Sequence, residues 1–251
     1  METRFLVKIK YIGTDFVGWQ VQKNGKSVQS AVQDAIESIF HKRANVTGCS
    51  RTDSGVHANE YYFCFDMDTD MRWDKIILAL NAKLCESISV TDVKIVDKDF
   101  HPRYSSLGKQ YVYICYDGRS RDPFLKERAY FYKGKIDDKM LNDCAKQFIG
   151  KHDFKAFMAN GSKIIDTNRE IYDFKVIRQQ NVVKFIVSGN GFLYNMVRIM
   201  VGTLLFVNSG KIKKDDIKNI ILSKDRKLAG KTAPACGLYL NKVYYDRKEI
   251  I

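Results

Sequence analysis

Residues 50–58, with the sequence SRTDSGVHA, place several chemically active side chains in one short loop. Asp53 has Arg51 two residues before it and Gly55 two residues after it. Burial raises the pKa of a carboxyl group, whereas a nearby guanidinium opposes this shift and keeps the carboxylate ionised. An ionised carboxylate can act as a nucleophile, and Gly55 lets the backbone turn sharply. The stretch therefore allows two interpretations: a catalytic Asp53, or an Asp53 that only closes an Asx-turn ahead of the next strand.

A second acidic stretch, FDMDTD at residues 65–70, allows two other interpretations. Asp66, at the end of an apolar run, resembles the nucleophile of an aspartyl phosphatase. The alternating aspartates also suggest a calcium loop, but Met71 and Ile77 occupy the positions that require glycine and glutamate. We interpret these acids as a solvated strand end, and we expect no metal site.

The chain is strongly basic, with 42 Lys and Arg against 29 Asp and Glu and a formal net charge of +13. Such an excess suggests a polyanionic partner, although a solvated lysine-rich surface is the simpler alternative. The chain also contains 15 Phe, 14 Tyr and 2 Trp. Aromatic side chains stack on unpaired bases while Lys and Arg hold phosphates, so the composition is compatible with RNA binding.

The sequence also limits the expected compartment. No apolar stretch reaches the roughly 20 residues that span a bilayer, and the N-terminal run METRFLVKIKY is typical of a strand. The six cysteines are scattered without a CxxC pair. We therefore expect a cytoplasmic protein with reduced thiols, several of them in the core, and no membrane partner.

Hydrophobic spacing predicts a mixture of helices and strands. Ser27 is expected to cap a helix whose apolar residues repeat at spacings of three and four through Phe40. A second helix is predicted from Trp73, with Trp73 facing inward. A hairpin should turn near Gln180, and residues 192–210 should form a long apolar helix. This pattern favours an α+β fold with a largely antiparallel sheet, divided near residue 100 into halves 1–100 and 101–251.

Five blocks of the sequence, in order along the whole chain, resemble the tRNA pseudouridine synthase A family. The loop SRTDSGVHA is similar to that family's usual GRTDAGVHA. The other four blocks are YIGTDFVGWQVQ with SVQSAVQDAI, FHPRYSSLGKQYVYICY, GFLYNMVRIMVGTLL and TAPACGLYL. Any one block alone would be weaker evidence than the five together.

The resemblance implies roles for individual residues. Asp53 would be the catalytic aspartate and nucleophile, Tyr111 would stack on the target uracil, and Arg198 would pair with the Asp53 carboxylate. Four further residues would bind the substrate RNA: Arg51, His57, Arg103 and Lys109.

The resemblance also implies a fold, a reaction and partners. It implies the pseudouridine synthase fold, in which two ferredoxin-like halves share an extended, mainly antiparallel sheet. The first half would carry the aspartate loop, and the second would carry Tyr111 and Arg198. The enzyme would convert uridine to pseudouridine at positions 38–40 in the anticodon stem-loop of tRNA, as a homodimer. This isomerisation has no net redox change and imports no group, so no cofactor is expected.

Three positions depart from the family pattern. Ser50 stands where glycine is usual, Ser54 where alanine is usual, and Asn195 where histidine is common. These departures leave open a paralogue that modifies another RNA. A noncatalytic RNA-binding module is a separate alternative, and the presence of Asp53, Tyr111 and Arg198 argues against it.

Overall fold

The computed structural model describes residues 2–162 and 164–250, which form two compact units. The first unit contains Met1–Leu107 and Tyr239–Glu249, and the second contains Gly108–Leu238. These units differ from the ranges 1–100 and 101–251 because the last strand belongs to the first unit. The described residues form five α-helices and ten β-strands, which confirms the α+β class.

The strands of the first unit pair mostly in antiparallel orientation. Its strands are β1 (Thr3–Tyr11), β2 (Thr47–Gly48), β3 (His57–Met67), β4 (Ile88–Val96) and β10 (Leu238–Tyr244). Strand β1 lies between β3 and β4 and is antiparallel to both. Strand β10 pairs with β3 in parallel, with Tyr239 opposite His57, and the short β2 pairs with β3 in antiparallel orientation. The final segment of the chain therefore contacts the strand that directly follows the Asp53 loop.

Two helices accompany this sheet. Helix α1 (Val28–Phe40) begins with the predicted cap: the Ser30 amide donates to Ser27 Oγ, and the Ser27 amide donates to Ser30 Oγ. Helix α2 (Trp73–Lys83) contacts α1 and β4. The prediction that Trp73 faces inward is wrong, because Trp73 is the first helical residue and its side chain remains 51% exposed.

Five further strands lie in the second unit. Its strands are β5 (Gly108–Gly118), β6 (Tyr130–Lys133), β7 (Gly150–Asp153), β8 (Asn168–Gln179) and β9 (Val182–Gly189). Strand β9 lies between β5 and β8 and is antiparallel to both, while β7 pairs with β8. Strand β6 runs parallel to β5. The predicted hairpin is confirmed, since β8 and β9 connect through Gln180, whose φ is +56°.

Three helices complete the second unit: α3 (Asp138–Ala145), α4 (Met196–Asn208) and α5 (Ile217–Ser223). Helix α4 is almost entirely buried and ends at Asn208, two residues before the predicted Gly210, whose φ is +73°. It begins four residues later than predicted. Asn195, at its N-cap, has a left-handed backbone with φ +59°, which interrupts the helical geometry before Met196.

Two further features concern the whole of the described chain. Within the residues that the structure describes, no helix is both long enough and apolar enough to cross a membrane. The six cysteines are free thiols, and four of them are buried: Cys49, Cys64, Cys115 and Cys144. Burial raises the pKa of Cys64 to about 12.

Arg178 ties three parts of the second unit together. From β8, its terminal nitrogens donate to both carboxylate oxygens of Asp117 at 3.0 and 2.8 Å, and its Nε donates to Asp138 at 2.6 Å. Burial would raise the pKa of Asp117, but hydrogen bonds from Arg178 and the Ile136 amide outweigh it and lower that pKa. Because the Asp117 side chain is only 8% exposed, loss of Arg178 would leave a buried carboxylate without its opposite charge.

We predict that Arg178→Met lowers the free energy of unfolding by about 3 kcal/mol, because it breaks a largely buried ion pair. The lowered folded-state pKa of Asp117 contributes stability above the ordinary carboxyl pKa of about 4, and this contribution disappears as the pH falls below it. The difference between variant and wild type should therefore shrink in acid, as measured by urea unfolding from pH 7 to pH 3.

Lys175→Met is the matched control on the same strand. Lys175 pairs with Asp173 at 2.7 Å, but both side chains are largely exposed, so its loss should cost less than about 1 kcal/mol. Equal effects of the two substitutions at neutral pH would contradict the prediction.

Candidate active site

The loop that carries Asp53 connects β2 to β3 and contains a tight turn. The amide of Val56 donates to the backbone carbonyl of Asp53 at 3.2 Å, and Gly55 has a φ of +75°. This geometry confirms the predicted role of Gly55 in turning the backbone. The backbone carbonyl of Asp53 thus closes this turn. Asp53 itself is half-buried, between the buried Thr52 and the exposed Ser54.

Residues 12–19, which follow β1, lie directly against this loop. The Trp19 amide donates to the Thr52 carbonyl at 3.1 Å, and the Gly55 amide donates to the Phe16 carbonyl at 3.3 Å. The same Phe16 carbonyl accepts a hydrogen bond from Ser54 Oγ at 3.3 Å. We call residues 12–19 the clamp segment, because they hold the Asp53 loop on both sides of the aspartate.

Two glycines allow the clamp segment to come so close. At Gly18, whose φ is +104°, an added Cβ atom would lie 2.5 Å from the Thr52 carbonyl oxygen. At Gly13, an added Cβ atom would lie 1.9 Å from the Val56 carbonyl oxygen. A side chain at either position would displace the backbone beside Asp53, since neither neighbour is a flexible side-chain end.

The clamp segment and the loop are each anchored to the core. The carbonyls of Gly18 and Trp19 accept hydrogen bonds from the first amides of α1, at 3.1 and 2.9 Å. The Trp19 ring stacks on Tyr61 with a centroid distance of 4.2 Å, and the Tyr61 hydroxyl donates to the Ser50 carbonyl. These contacts connect the position of Asp53 to the helix and the sheet.

The hydroxyl groups of Tyr11 and Thr52 form a buried hydrogen bond of 2.8 Å inside the same region. Tyr11 ends β1, and Thr52 directly precedes Asp53. The central strand of the first unit is thereby connected to the residue next to the aspartate.

His57 also supports the loop from inside the first unit. Its side chain is completely buried, its Nδ1 accepts from the Gly13 amide at 3.0 Å, and its ring stacks on Tyr239 at 4.6 Å. The expectation that His57 lines an RNA cleft is therefore corrected, since a fully buried ring cannot contact a polynucleotide. The residue positions the clamp segment instead.

Two other predicted substrate-binding residues of the first unit are exposed. Arg51 lies on the surface of the Asp53 loop, and Arg103 lies in a turn held by His101, whose Nδ1 accepts from the Arg103 and Tyr104 amides. The Arg103 guanidinium lies 5.8 Å from the centre of the exposed Tyr104 ring. Both arginines are accessible to a phosphate group, and Tyr104 is an exposed aromatic that sequence reasoning did not single out.

Tyr111 and Lys109 lie on β5 of the second unit, opposite Val187 and Gly189 of β9. Tyr111 is 7% exposed, and its ring meets Phe192 edge-on at 5.1 Å. Lys109 is also buried, at 9% exposure. Sequence reasoning missed Phe192 as the partner of Tyr111, although it lies in the block GFLYNMVRIMVGTLL.

Arg198 is held in a defined orientation on α4. Its Nε donates to the Ala233 carbonyl at 2.7 Å, and its Nη1 donates to Asn195 Oδ1 at 2.7 Å. The Ala233 amide donates back to the Arg198 carbonyl at 3.1 Å. Asn195, one of the departures from the family pattern, therefore orients the guanidinium.

Close backbone contact fixes the segment that holds Arg198. An added Cβ atom at Gly202 of α4 would lie 1.7 Å from the Lys231 carbonyl oxygen. The Gly230 amide donates to Thr203 Oγ1 at 2.9 Å. The Ala233 carbonyl is thereby kept at a set position against α4.

Asp66, the alternative nucleophile, has a structural partner. Arg4 lies opposite Asp66 in the β1–β3 pairing and donates to both carboxylate oxygens at 2.8 Å. These hydrogen bonds lower the pKa of Asp66. The carboxylate is therefore engaged in strand pairing, which argues against the phosphatase interpretation. Among the described residues, no three His, Cys, Asp or Glu side chains are grouped to hold a metal ion.

Comparisons with known proteins match nearly the full chain. A family model described as tRNA pseudouridine synthase matches residues 8–105 and 144–246. The tRNA pseudouridine synthase A of Staphylococcus carnosus is 41% identical over 248 residues, which cover 99% of this chain and 93% of that protein. The tRNA pseudouridine synthase A of Acetivibrio thermocellus is 44% identical over 237 residues, which cover 94% and 97%. The chain therefore belongs to the tRNA pseudouridine synthase family.

Proposed function

We propose that this protein isomerises uridine to pseudouridine at positions 38–40 in the anticodon stem-loop of tRNA. Membership of the family supports an isomerase that acts on RNA. The observation that carries the proposal is the half-buried Asp53 on a loop held by the clamp segment through close backbone contacts and hydrogen bonds. Such rigid placement is what a catalytic carboxylate needs, since small displacements of a reacting group cost large factors in rate.

The reaction requires that uracil leave ribose C1′ through N1, rotate, and rebond to C1′ through C5. A carboxylate can serve this sequence by attacking the substrate or by taking part in deprotonation of the sugar. Asp53 is the group that we assign to this step. The stoichiometry includes no redox change and no imported group, so the isomerisation needs no cofactor.

A uridine within a base-paired stem must leave the stack before this chemistry, at a cost of a few kcal/mol. Tyr111 would stack on the extruded uracil, and Phe192 holds the Tyr111 ring from its edge. Arg198 would pair with the Asp53 carboxylate and keep it ionised, and its anchoring to Ala233 and Asn195 presets its direction.

The net charge of +13 supports binding of a polyanion of the size of tRNA. Exposed Arg51 and Arg103 would contact the phosphate backbone, and Lys109 would lie closer to the target nucleotide. We further propose that two copies of the chain act together on tRNA as a homodimer in the cytoplasm.

A paralogue that modifies another RNA is the second candidate, and Asn195 is the observation that favours it. Asn195 replaces a common histidine and contacts Arg198 directly. A substitution so close to the proposed site can change which RNA is accepted without removing the chemistry.

We predict that Asp53→Asn reduces pseudouridine formation by roughly a thousandfold or more, because the reaction loses its catalytic carboxylate. The measurement is carbodiimide-dependent primer extension on an unmodified tRNA transcript. Asp66→Asn is the control: it should lower stability through the Arg4 pair and leave conversion intact. Activity in Asp53→Asn would show that the catalytic assignment is wrong, and conversion at other uridines would favour the paralogue.

A second prediction concerns Arg198→Met. Without the guanidinium, the ionised form of Asp53 is less favoured, so the rate–pH profile should move to higher pH. Arg226→Met is the matched control. It removes another guanidinium that holds the segment containing Gly230 and Ala233, since Arg226 donates to the Gly230 carbonyl at 3.0 Å. A normal rate with an unshifted profile in Arg198→Met would exclude the pairing.

A third prediction tests the clamp segment. Gly18→Ala places a methyl group against the Thr52 carbonyl, so the catalytic rate constant should fall roughly 10- to 100-fold through misplacement of Asp53. Gly210→Ala is the control, since Gly210 also has positive φ but would meet no atom within 4 Å. Circular dichroism checks that both variants are folded. Equal catalytic rate constants for the two variants would contradict a positioning role of Gly18.

A further inference from the structure

Phe124 is the most solvent-exposed of the large aromatic side chains in the described chain outside the proposed site, at 92% exposure. It lies in residues 119–128, which follow β5 and which we call the Phe124 loop. A phenyl ring in water forgoes the burial that its apolar surface favours. The proposed roles of Asp53, Tyr111 and Arg198 make no use of it.

The backbone of the Phe124 loop is ordered by its own hydrogen bonds. Asp122 Oδ1 accepts from the Phe124 amide at 2.9 Å, and the Leu125 amide donates to the Asp122 carbonyl at 3.2 Å. The Leu125 carbonyl in turn accepts from the Arg128 and Ala129 amides at 3.1 Å. The loop therefore presents the ring on a defined turn, which reduces the entropy lost when the ring binds a partner.

The charge around the ring is positive. The Phe124 loop contains four exposed basic residues: Arg119, Arg121, Lys126 and Arg128. Of its two acids, Asp122 is engaged in the turn and Glu127 lies 3.9 Å from Lys126. An exposed aromatic among cations is the combination that binds unpaired nucleotides, by base stacking and phosphate attraction.

The course of the chain brings the Phe124 loop back along the second unit. Strand β6 runs parallel to β5 with Tyr130 opposite Cys115, so the loop returns from Gly118 toward the middle of β5. There the Cys236 thiol lies 3.9 Å from the Ala129 carbonyl. The loop thus ends beside the part of the unit that contains the proposed stacking strand.

Residues next to Cys236 continue this connection toward the proposed site. Gly237 packs against the Tyr113 ring, and the Tyr113 hydroxyl donates to the Pro234 carbonyl at 2.7 Å. Tyr113 is two residues from Tyr111 on the same strand. The Phe124 loop is therefore linked to β5 by a short chain of packed residues within one unit.

We propose that Phe124 stacks on an unpaired base of the bound RNA, with the basic residues of its loop holding the adjoining phosphates. The inference rests on the proposed function and extends it to a second nucleotide-binding position. A second copy of the chain is the less favoured occupant of this surface, since a symmetric contact through the Phe124 loop would bring its four basic residues against their own copies.

The first test is equilibrium binding of an unmodified tRNA transcript, measured by fluorescence anisotropy. Phe124→Ala should weaken binding roughly tenfold, as expected for loss of one base–aromatic stack. Phe124→Trp should bind the transcript as tightly as wild type, because another aromatic face can stack on the base. Leu222→Ala, which removes another largely exposed apolar side chain of the same unit, should leave binding unchanged. Wild-type binding in both Phe124 variants would overturn the proposal.

The second test identifies the base. Anticodon stem-loop RNAs, each with one abasic nucleotide in the loop, are compared on wild type and Phe124→Ala. One abasic position should weaken wild-type binding roughly tenfold and have no effect on Phe124→Ala, because the stack is already lost. Additive losses at every position would contradict stacking.

Two outcomes distinguish the stacking role of Phe124 from failure of the proposed function and from binding of a second copy. If wild type converts no uridine, the proposed function fails, while the binding comparisons still decide the role of Phe124. If Phe124→Ala dissociates a dimer in sedimentation experiments and the abasic series shows no coupling, a second copy occupies the surface and the proposal is overturned.

Discussion

The close approach of Gly18 to the Thr52 carbonyl is the constraint on which the candidate active site depends. No residue with a Cβ atom fits there without displacing the backbone next to Asp53. The clamp segment is in turn attached to the first amides of α1. The aspartate is therefore positioned by backbone contacts and a helix N-terminus, which deform less readily than a surface loop held by side chains alone.

In the second unit, close backbone contact at a glycine also positions Arg198. Gly202 permits backbone contact with residues 229–233, and the Ala233 carbonyl then receives the guanidinium. In each unit, a glycine of one segment packs against the backbone of another segment and so fixes the position of one charged side chain. Hydrogen bonds to backbone carbonyls add direction to this placement, since carbonyl oxygens accept along preferred directions.

Buried and exposed residues have different functions in this arrangement. His57 and Tyr11 are buried and hold the loop, whereas Arg51 and Arg103 are exposed and accessible to phosphate groups. Phe124 belongs to the exposed set despite its apolar ring. An RNA-modifying enzyme needs both sets, because chemistry requires rigid placement and binding of a large polyanion requires accessible charge.

The sequence by itself determined the local features and the family. The Ser27 cap, the turn at Gly55 and the hairpin at Gln180 depend on neighbouring residues, and all three were predictable. The end of α4 was predicted to within two residues. The five sequence blocks indicated the family because they occur in the same order and span the chain. The Asp53 loop could be picked out from its composition, but its catalytic role was implied by the family resemblance and, like the pairing of Asp53 with Arg198, stays a prediction.

Tertiary structure decided which side chains are accessible and which distant segments meet. The family resemblance implied that His57 contacts RNA, yet the side chain is buried against Gly13 and Tyr239. Trp73 fitted an apolar helix face but lies exposed at the first residue of α2. Strand β10 joined the first unit through parallel pairing across nearly the whole chain. Burial and long-range pairing depend on all packed elements at once, so residue spacing alone does not specify them.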